Sequence, residues 1–524
     1  MLLFMEACEK DDNYVSGVSH CLVSEKTDND TPIELGQELN DPYKLSNMQE
    51  ALDQLTKEGV AFPYATLRPT GYYVRVLIHS MEEMDQIDSD SNLIWFDYPL
   101  NYEVSKEGSY YVDPSLEDSA WSWQYGVVPT GYSLPENLQV ETIYPVFIPD
   151  ECSEYKAYEE SFDRLEDLSE TLCGNDAKGG SEDSEAKATK WYPSARITVW
   201  DDLKNGYVPL EGVRVSARRC CKTRWAVTNA SGYCRINTKF KKNVSYSIEW
   251  SRHYWRIVKS ERNKKTYLTG PSLSHHWDMS IPKSQGEDYM RATIHRAALV
   301  ANYKDMWTIA RLEKKRWGIT SKVIIRYNHS GNGGAVGSVQ YGSNENLHGA
   351  DVIIWGRDAH QSLWPTHDMF SATLHELAHC AHYYWYNSTH SDDNFHAPVA
   401  VQFKFVMESW ATCVQWKVTT DYYDGMFGQT GYGGGKQSWT ATTSNEYTPI
   451  FIDLMDDYNQ GRHYGGSVPN DNVSGYTLKE IQDNILGLST NFEGLQVALK
   501  AFKLHGTTDA QLDDLLYHYN NLSW

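Results

Sequence analysis

Two histidines, His375 and His379, bracket Glu376, Leu377 and Ala378. On an α-helix this spacing puts both imidazoles on one face, about 6 Å of rise apart, where each can reach a single ion. Zinc takes imidazole nitrogens at about 2.0–2.1 Å, so the pair predicts a zinc site. Glu376 stands beside the first histidine, placed to take a proton from an activated water rather than to bind the metal. Leu374, Leu377, Ala378 and Ala381 supply the apolar flank of a buried helix, and a strand-like run, Val352-Ile353-Ile354-Trp355, precedes it.

A third ligand must come from elsewhere. His382 lies seven residues from His375, about 10.5 Å along a helix, too far to share an ion whose donors stand about 4 Å apart. Glu408 lies in the apolar run Phe405-Val-Met-Glu-Ser-Trp-Ala411, where an unpaired carboxylate is costly and a metal removes the cost. His390 and His396 are the alternatives. The segment Glu408-Ser409-Trp410-Ala411-Thr412 resembles the second ligand helix of gluzincin-type zinc metallopeptidases. That resemblance implies His375, His379 and Glu408 as zinc ligands, Glu376 as general base, and peptide-bond hydrolysis as the activity. The stretch between His379 and Glu408 is longer than in thermolysin-like members. Thr412 stands where an acidic residue often follows the ligand glutamate. The metzincin pattern is not met, because His382 and Trp385 occupy its glycine and third-histidine positions. A donor to the developing oxyanion is also required; Tyr447 is the candidate, with His463 and Tyr464 behind it. The glycine-rich segment 425–435 reads as a connection or a lid, and lacks the lysine-plus-hydroxyl ending of a phosphate loop.

The chain that positions these groups has 524 residues, too many for one core, and about three domains are expected. It is 41% hydrophobic with a net charge of −23, which argues against nucleic acid as a partner. No apolar run reaches the length of a membrane-spanning helix. Near the start, Ala7-Cys8-Glu9-Lys10-Asp11-Asp12 resembles the lipidation and export signal of surface lipoproteins in Bacteroidetes-type bacteria. The resemblance implies a lipid anchor at Cys8 and a place at the cell surface, or secretion.

The expected fold is multidomain. Residues 1–12 are a tether, 13–173 an α+β accessory domain, 174–190 an acidic Gly/Ser-rich linker, 191–275 a β-sandwich and 285–524 a mainly α, zincin-like domain. In the first domain the spacing predicts helices over 45–55 and 81–87 and strands over 72–78 and 93–96. The third region carries short alternating strands at 195–200, 213–217, 233–236 and 246–250. Its Val208-Pro-Leu-Glu-Gly-Val213 and Thr228-Asn-Ala-Ser-Gly232 segments resemble carboxypeptidase regulatory-like (transthyretin-like) domains. Cys220 or Cys221 could pair there with Cys234. Arg218, Arg219, Lys222 and Arg224 read as a solvated strand edge, or else as an anion-binding patch. Further on, helices are expected over 289–317, 370–386, 399–418, 447–458, 478–486, 492–502 and 509–519, with strands at 323–327 and 352–355. The implied substrate is a protein or peptide, possibly a glycoprotein. Two rival readings are a surface adhesion lipoprotein that keeps a zincin-like fold, and a zinc hydrolase of a non-peptide amide.

Overall fold

The computed structural model describes residues 31–116, 122–174, 190–259, 265–304, 314–316, 319–331, 337–339, 352–389, 401–428, 447–464, 469–489, 491–517 and 519. The candidate anchor at Cys8, the acidic stretch 175–189, and His390 and His396 lie outside them. The chain is a multidomain protein of helices and sheets.

The N-terminal part contains β1 (Glu34–Glu38), α1 (Leu45–Lys57), β2 (Gly71–Leu77), α2 (Met81–Asp88), β3 (Tyr102–Lys106), β4 (Trp123–Pro129), β5 (Gln139–Val146) and α3 (Glu159–Cys173). β2, with Tyr73 buried on one face and Val74 and Val76 on the other, is the centre of an antiparallel sheet, β4-β2-β5. Met48, Ala51, Leu52 and Leu55 form the buried stripe of α1. The strand expected at 93–96 is reduced to one bridge, Phe96 to Tyr125. Trp95 is instead turned into the core, where its indole N–H donates to the Ile87 carbonyl at 3.0 Å.

Two four-stranded sheets follow. One comprises β6 (Ser194–Asp201), β7 (Gly206–Pro209), β10 (Tyr233–Arg235) and β14 (Trp277–Ile281). The other orders β13 (Tyr267–Leu273), β11 (Val244–Glu249), β8 (Arg214–Arg219) and β9 (Lys222–Val227). Inward residues of both, such as Ile197, Val199, Val215 and Ile248, share one core with the C-terminal helices. β12 (Trp255–Lys259) leaves both sheets and pairs in parallel with β17 (Val323–Gly331). β15 (Lys314–Arg316) and β16 (Ile319–Ser321) form a hairpin. β19 (Val352–Arg357) and the short β18 (Gly337–Val339) complete the sheet β12-β17-β19-β18, in which β18 is an antiparallel edge.

The helices are α4 (Glu287–Tyr303), α5 (Thr366–Thr389), α6 (Val401–Phe427), α7 (Ile450–Asp453), α8 (Gln460–Tyr464), α9 (Leu478–Asn484), α10 (Phe492–Ala501) and α11 (Asp509–Tyr517). Two expected helices are shorter than their patterns suggest. The one over 289–317 stops at Tyr303. Lys304 turns extended there while its ammonium grips both oxygens of Glu211 at 2.7 Å, and 314–316 is a strand. The one over 447–458 shrinks to α7: it begins after Pro449, and beyond Asp453 the Leu454 and Met455 carbonyls accept from Tyr476 N at 3.0 Å and Gly475 N at 3.1 Å instead of from a following turn.

The basic run at 218–224 is neither solvated nor a ligand patch. Arg219 meets Glu170 at 2.6 Å, Lys222 meets Glu166 at 2.9 Å and Asp150 at 3.3 Å, and Arg224 meets Asp150 and Glu151 at 2.9 Å each. All four carboxylates belong to the N-terminal part, so the run is an ionic seam between two regions of the chain. The proposed disulfide is absent too. Cys220, Cys221 and Cys234 are free and buried, the first two forming the tight β8–β9 turn packed against the N-terminal core while Cys234 lies on the other sheet. Lys222, 2% exposed, has no alternative water shell. Lys222→Met takes the cation from Glu166, which keeps only the Tyr43 hydroxyl, and leaves Asp150 to Arg224 alone, and the expected loss is about 3–5 kcal/mol. A shift of the first urea-unfolding transition to lower denaturant checks it; an unchanged midpoint contradicts the seam.

Candidate metal centre

The two helices that carry the candidate ligands are buried on nearly every side. Met369, Phe370, Leu374, Leu377 and Ala378 of α5 and Phe405, Val406, Trp410, Ala411 and Val414 of α6 are at most 1% exposed. Helices that are apolar all round belong in a core. α5 begins at a cap supplied from the β-rich region: Asp202 Oδ2 accepts from Thr366 N at 2.9 Å, and Asp202 N donates to Thr366 Oγ1 at 3.0 Å. Its neighbour Asp201 Oδ2 accepts from Arg296 of α4 at 2.8 Å and from Tyr423 of α6 at 3.1 Å. One Asp-Asp pair after β6 thus ties together the three helices around the centre.

His375, His379 and Glu408 converge. Glu408 Oε2 lies 3.1 Å from His375 Nε2 and 3.2 Å from His379 Nε2, and the two imidazole nitrogens are 3.1 Å apart. All three are at most 2% exposed, and as a group they can hold a metal ion. Burial pushes the Glu408 carboxyl up, but the imidazoles of His379 and His375 set against it outweigh burial and hold the group well below the usual carboxylate range. Glu376, also buried, is shifted the other way, by desolvation first and then by the charge of Glu408. Two carboxyls on adjoining helices are thereby shifted in opposite directions, Glu408 toward the charged form and Glu376 toward the protonated one.

Several contributors carry no signal in the sequence. Gln415, two turns beyond Glu408, accepts from His375 Nδ1 at 3.2 Å and donates to Ser371 Oγ at 3.1 Å. This fixes the tautomer that presents Nε2 as a lone pair. Gly337, on edge strand β18, faces Glu376 so closely that a Cβ there would meet Glu376 Cγ at 2.7 Å and Oε1 at 2.8 Å. Ser409, adjacent to Glu408, shares a 2.9 Å hydrogen bond with Thr448. That contact brings Tyr447 to the centre, its ring centroid 6.2 Å from that of His375. His382 is buried on the same helix, and its proton affinity is lowered to about 3 by burial and by His379. His463 is exposed and stacks on Tyr458 at 4.4 Å, and nothing described places it against the three ligand candidates. The side chain of Tyr464 and residues 429–446, with most of the glycine-rich segment, lie outside the described residues; α6 ends at Gly428, whose φ of +81° suits glycine.

No protein-family model matches the chain, and no curated protein matches it. Among solved structures, a 9R-lipoxygenase from Cyanothece PCC8801 aligns at 12% identity with a TM-score of 0.11. The chain spans about a quarter of that protein, the alignment covering 25% of each chain. A likeness this slight carries no argument about fold or chemistry.

Gln415→Ala is expected to weaken metal binding by about 10- to 100-fold, the usual loss when a ligand's orienting partner is removed. Competition against a chromogenic chelator reads this directly, and unchanged affinity would show that the His375 ring needs no anchor. Gly337→Ala should leave metal affinity intact, since the added methyl presses on Glu376 and on none of the three candidate ligands.

Proposed function

We propose that the chain is a zinc-dependent peptidase of gluzincin type, with His375, His379 and Glu408 as ligands. The observation that carries this reading is the convergence of two imidazole nitrogens and one carboxylate oxygen in a buried site that also holds Glu376. Donor spacings of 3.1–3.2 Å fit the edge of a tetrahedron around a small ion. With ligands at about 2.0–2.1 Å that edge is about 3.4 Å, whereas a calcium-sized ion needs wider spacing. Bound there, zinc would polarise the scissile carbonyl and make a neighbouring water more acidic.

The remaining chemistry falls to the chain's own residues. Glu376 takes a proton as water oxygen attacks the carbonyl carbon. It delivers that proton to the amide nitrogen as the C–N bond breaks, so its raised proton affinity suits both halves of the transfer. Tyr447, beside His375, is the donor to the oxyanion. Gln415 keeps His375 in register. The aliphatic and aromatic walls of α5 and α6 exclude bulk water, which strengthens each of these interactions.

On this reading residues 285–524 form the zincin-like catalytic domain, 191–275 a carboxypeptidase regulatory-like sandwich and 13–173 an accessory domain, joined by the linker 174–190. Anchorage through Cys8 would set the enzyme against extracellular proteins, peptides or glycoproteins. No helix among the described residues is long and apolar enough to cross a membrane.

Glu376→Gln should retain one zinc per chain by elemental analysis while losing cleavage of a broad peptide library. Glu408→Ala should lose zinc as well. Chelation should silence the wild type, and added zinc should restore it. An active Glu376→Gln variant would rule out the assigned base, and silence of the zinc-loaded wild type across the library would favour a non-peptide amide or an adhesive role.

A further inference from the structure

A second polar cluster lies away from the centre, where α7, α8 and the loop before α9 meet. Asp453 and Gln460 are fully buried and Asp471 is 3% exposed. The Asp453 carboxylate accepts from Gln460 Nε2 through Oδ1 and from Tyr519 OH at 2.8 Å through Oδ2. Asp471 Oδ1 accepts from Val473 N at 2.9 Å. Two buried oxygens then have no hydrogen-bonding partner: Asp471 Oδ2 and Gln460 Oε1. The Gln460 amide cannot be reversed to cure this, because its nitrogen is the end that faces the Asp453 carboxylate.

The turn that carries Gln460 and the loop that carries Asp471 are joined on both sides of these residues. Asn459 Nδ2 donates to Asn470 Oδ1 at 3.1 Å and to Asn472 Oδ1 at 3.2 Å, and Gly461 N donates to the Pro469 carbonyl at 2.9 Å. Residues 459–461 and 469–472 therefore face each other, both rich in amide and carboxylate oxygen. Among the described residues, the groups acting on the Asp453 and Asp471 carboxyls include other carboxylates, Asp456 among them, and no lysine or arginine. Arg462, on the same turn, is directed to Asn472 Oδ1 at 2.8 Å. Buried negative charge is ordinarily neutralised by a cation, a metal or a proton.

We infer that the facing segments 459–461 and 469–472 form a binding site for a hard divalent cation of the calcium class, with Asp471 Oδ2 and Gln460 Oε1 as side-chain ligands. Oxygen-only donors suit such an ion, which takes six to eight oxygens at about 2.3–2.6 Å. Only one of the two side-chain ligands is a carboxylate, so main-chain carbonyls and water would complete the shell and the affinity would be modest. The site would be structural, cross-linking the stretch after α7 to the loop before α9 and, through Asp453 and Tyr519, to the end of the chain.

Terbium(III) replaces calcium at oxygen sites and emits when a nearby aromatic ring transfers energy to it, a role open to Tyr519. Full-length protein freed of metal should show saturable, tyrosine-sensitised terbium emission that excess calcium abolishes. Asp471→Asn, which keeps the acceptor for Val473 N, should lose the emission. Glu408→Gln, which disables the histidine-glutamate centre, should keep it, so failure here is distinct from failure of the zinc assignment. Absence of emission in the wild type, its survival in Asp471→Asn, or its loss in Glu408→Gln would each overturn the inference. Should Asp471→Asn fail to fold, calcium must still raise the melting temperature of metal-free wild type and of Glu408→Gln. No rise would mean that the cluster is neutralised by protons instead.

Discussion

A carboxylate between two buried helices is the constraint on which the centre depends. Glu408 is 2% exposed on a helix whose neighbours are phenylalanine, valine, methionine and tryptophan. An ionised group in such surroundings is tolerated only if something returns the solvation it has lost. Here the return comes from two imidazoles that reach the same oxygen from α5. The spacing of His375 and His379, the rotation of α5 about its axis and its packing distance from α6 must all satisfy that single contact. The fold around it can be understood as the means of keeping two helices in one relative position.

That position is not set by the helices alone. Asp201 and Asp202, at the end of β6, reach across to Arg296 on α4, Thr366 at the start of α5 and Tyr423 on α6. A capping carboxylate also favours the positive end of the α5 dipole. Rotating α5 or sliding α6 would strand Asp201, which is fully buried and bonded through both oxygens. The β-rich region is therefore a structural part of the site rather than a spacer hung beside it. β12 makes the same point from another side, since it lies between the sheet strands in sequence yet pairs with β17, two positions from β18 and Gly337.

How much of this could be read beforehand follows from the range of each interaction. The faces of α5 and α6 were legible because helical periodicity is local, and Glu408 stood out because a lone charge in an apolar run demands a partner. Tyr447 was reachable as a candidate, but the reason for its placement, the Ser409–Thr448 contact, joins residues 39 apart. Gln415 gave no signal, since an amide on a helix is ordinary until an imidazole is known to face it. The arginines and lysine of 218–224 were conspicuous, yet their partners lie 49 to 74 residues earlier in the chain, and a basic run without a visible partner reads as solvent-exposed. The helix expected over 289–317 meets the same limit: at Lys304 the backbone turns extended and the ammonium pairs with Glu211, 93 residues earlier.

The charge of the centre explains why a glutamine, rather than a carboxylate, orients His375. Among the described residues, no lysine or arginine is a leading influence on Glu376 or Glu408. With neutral imidazoles the pair of glutamates carries two negative charges when both are ionised, and the zinc ion proposed for the site would balance them. A third carboxylate at the position of Gln415 would leave the site with net negative charge in a dry interior, where an unbalanced charge is most expensive. It would also raise the proton affinity of Glu376 further, holding back the base it needs to become. An amide orients the ring by the same hydrogen bond without adding charge. Thr412, one turn after Glu408, is likewise neutral, so neither position adds charge to the centre.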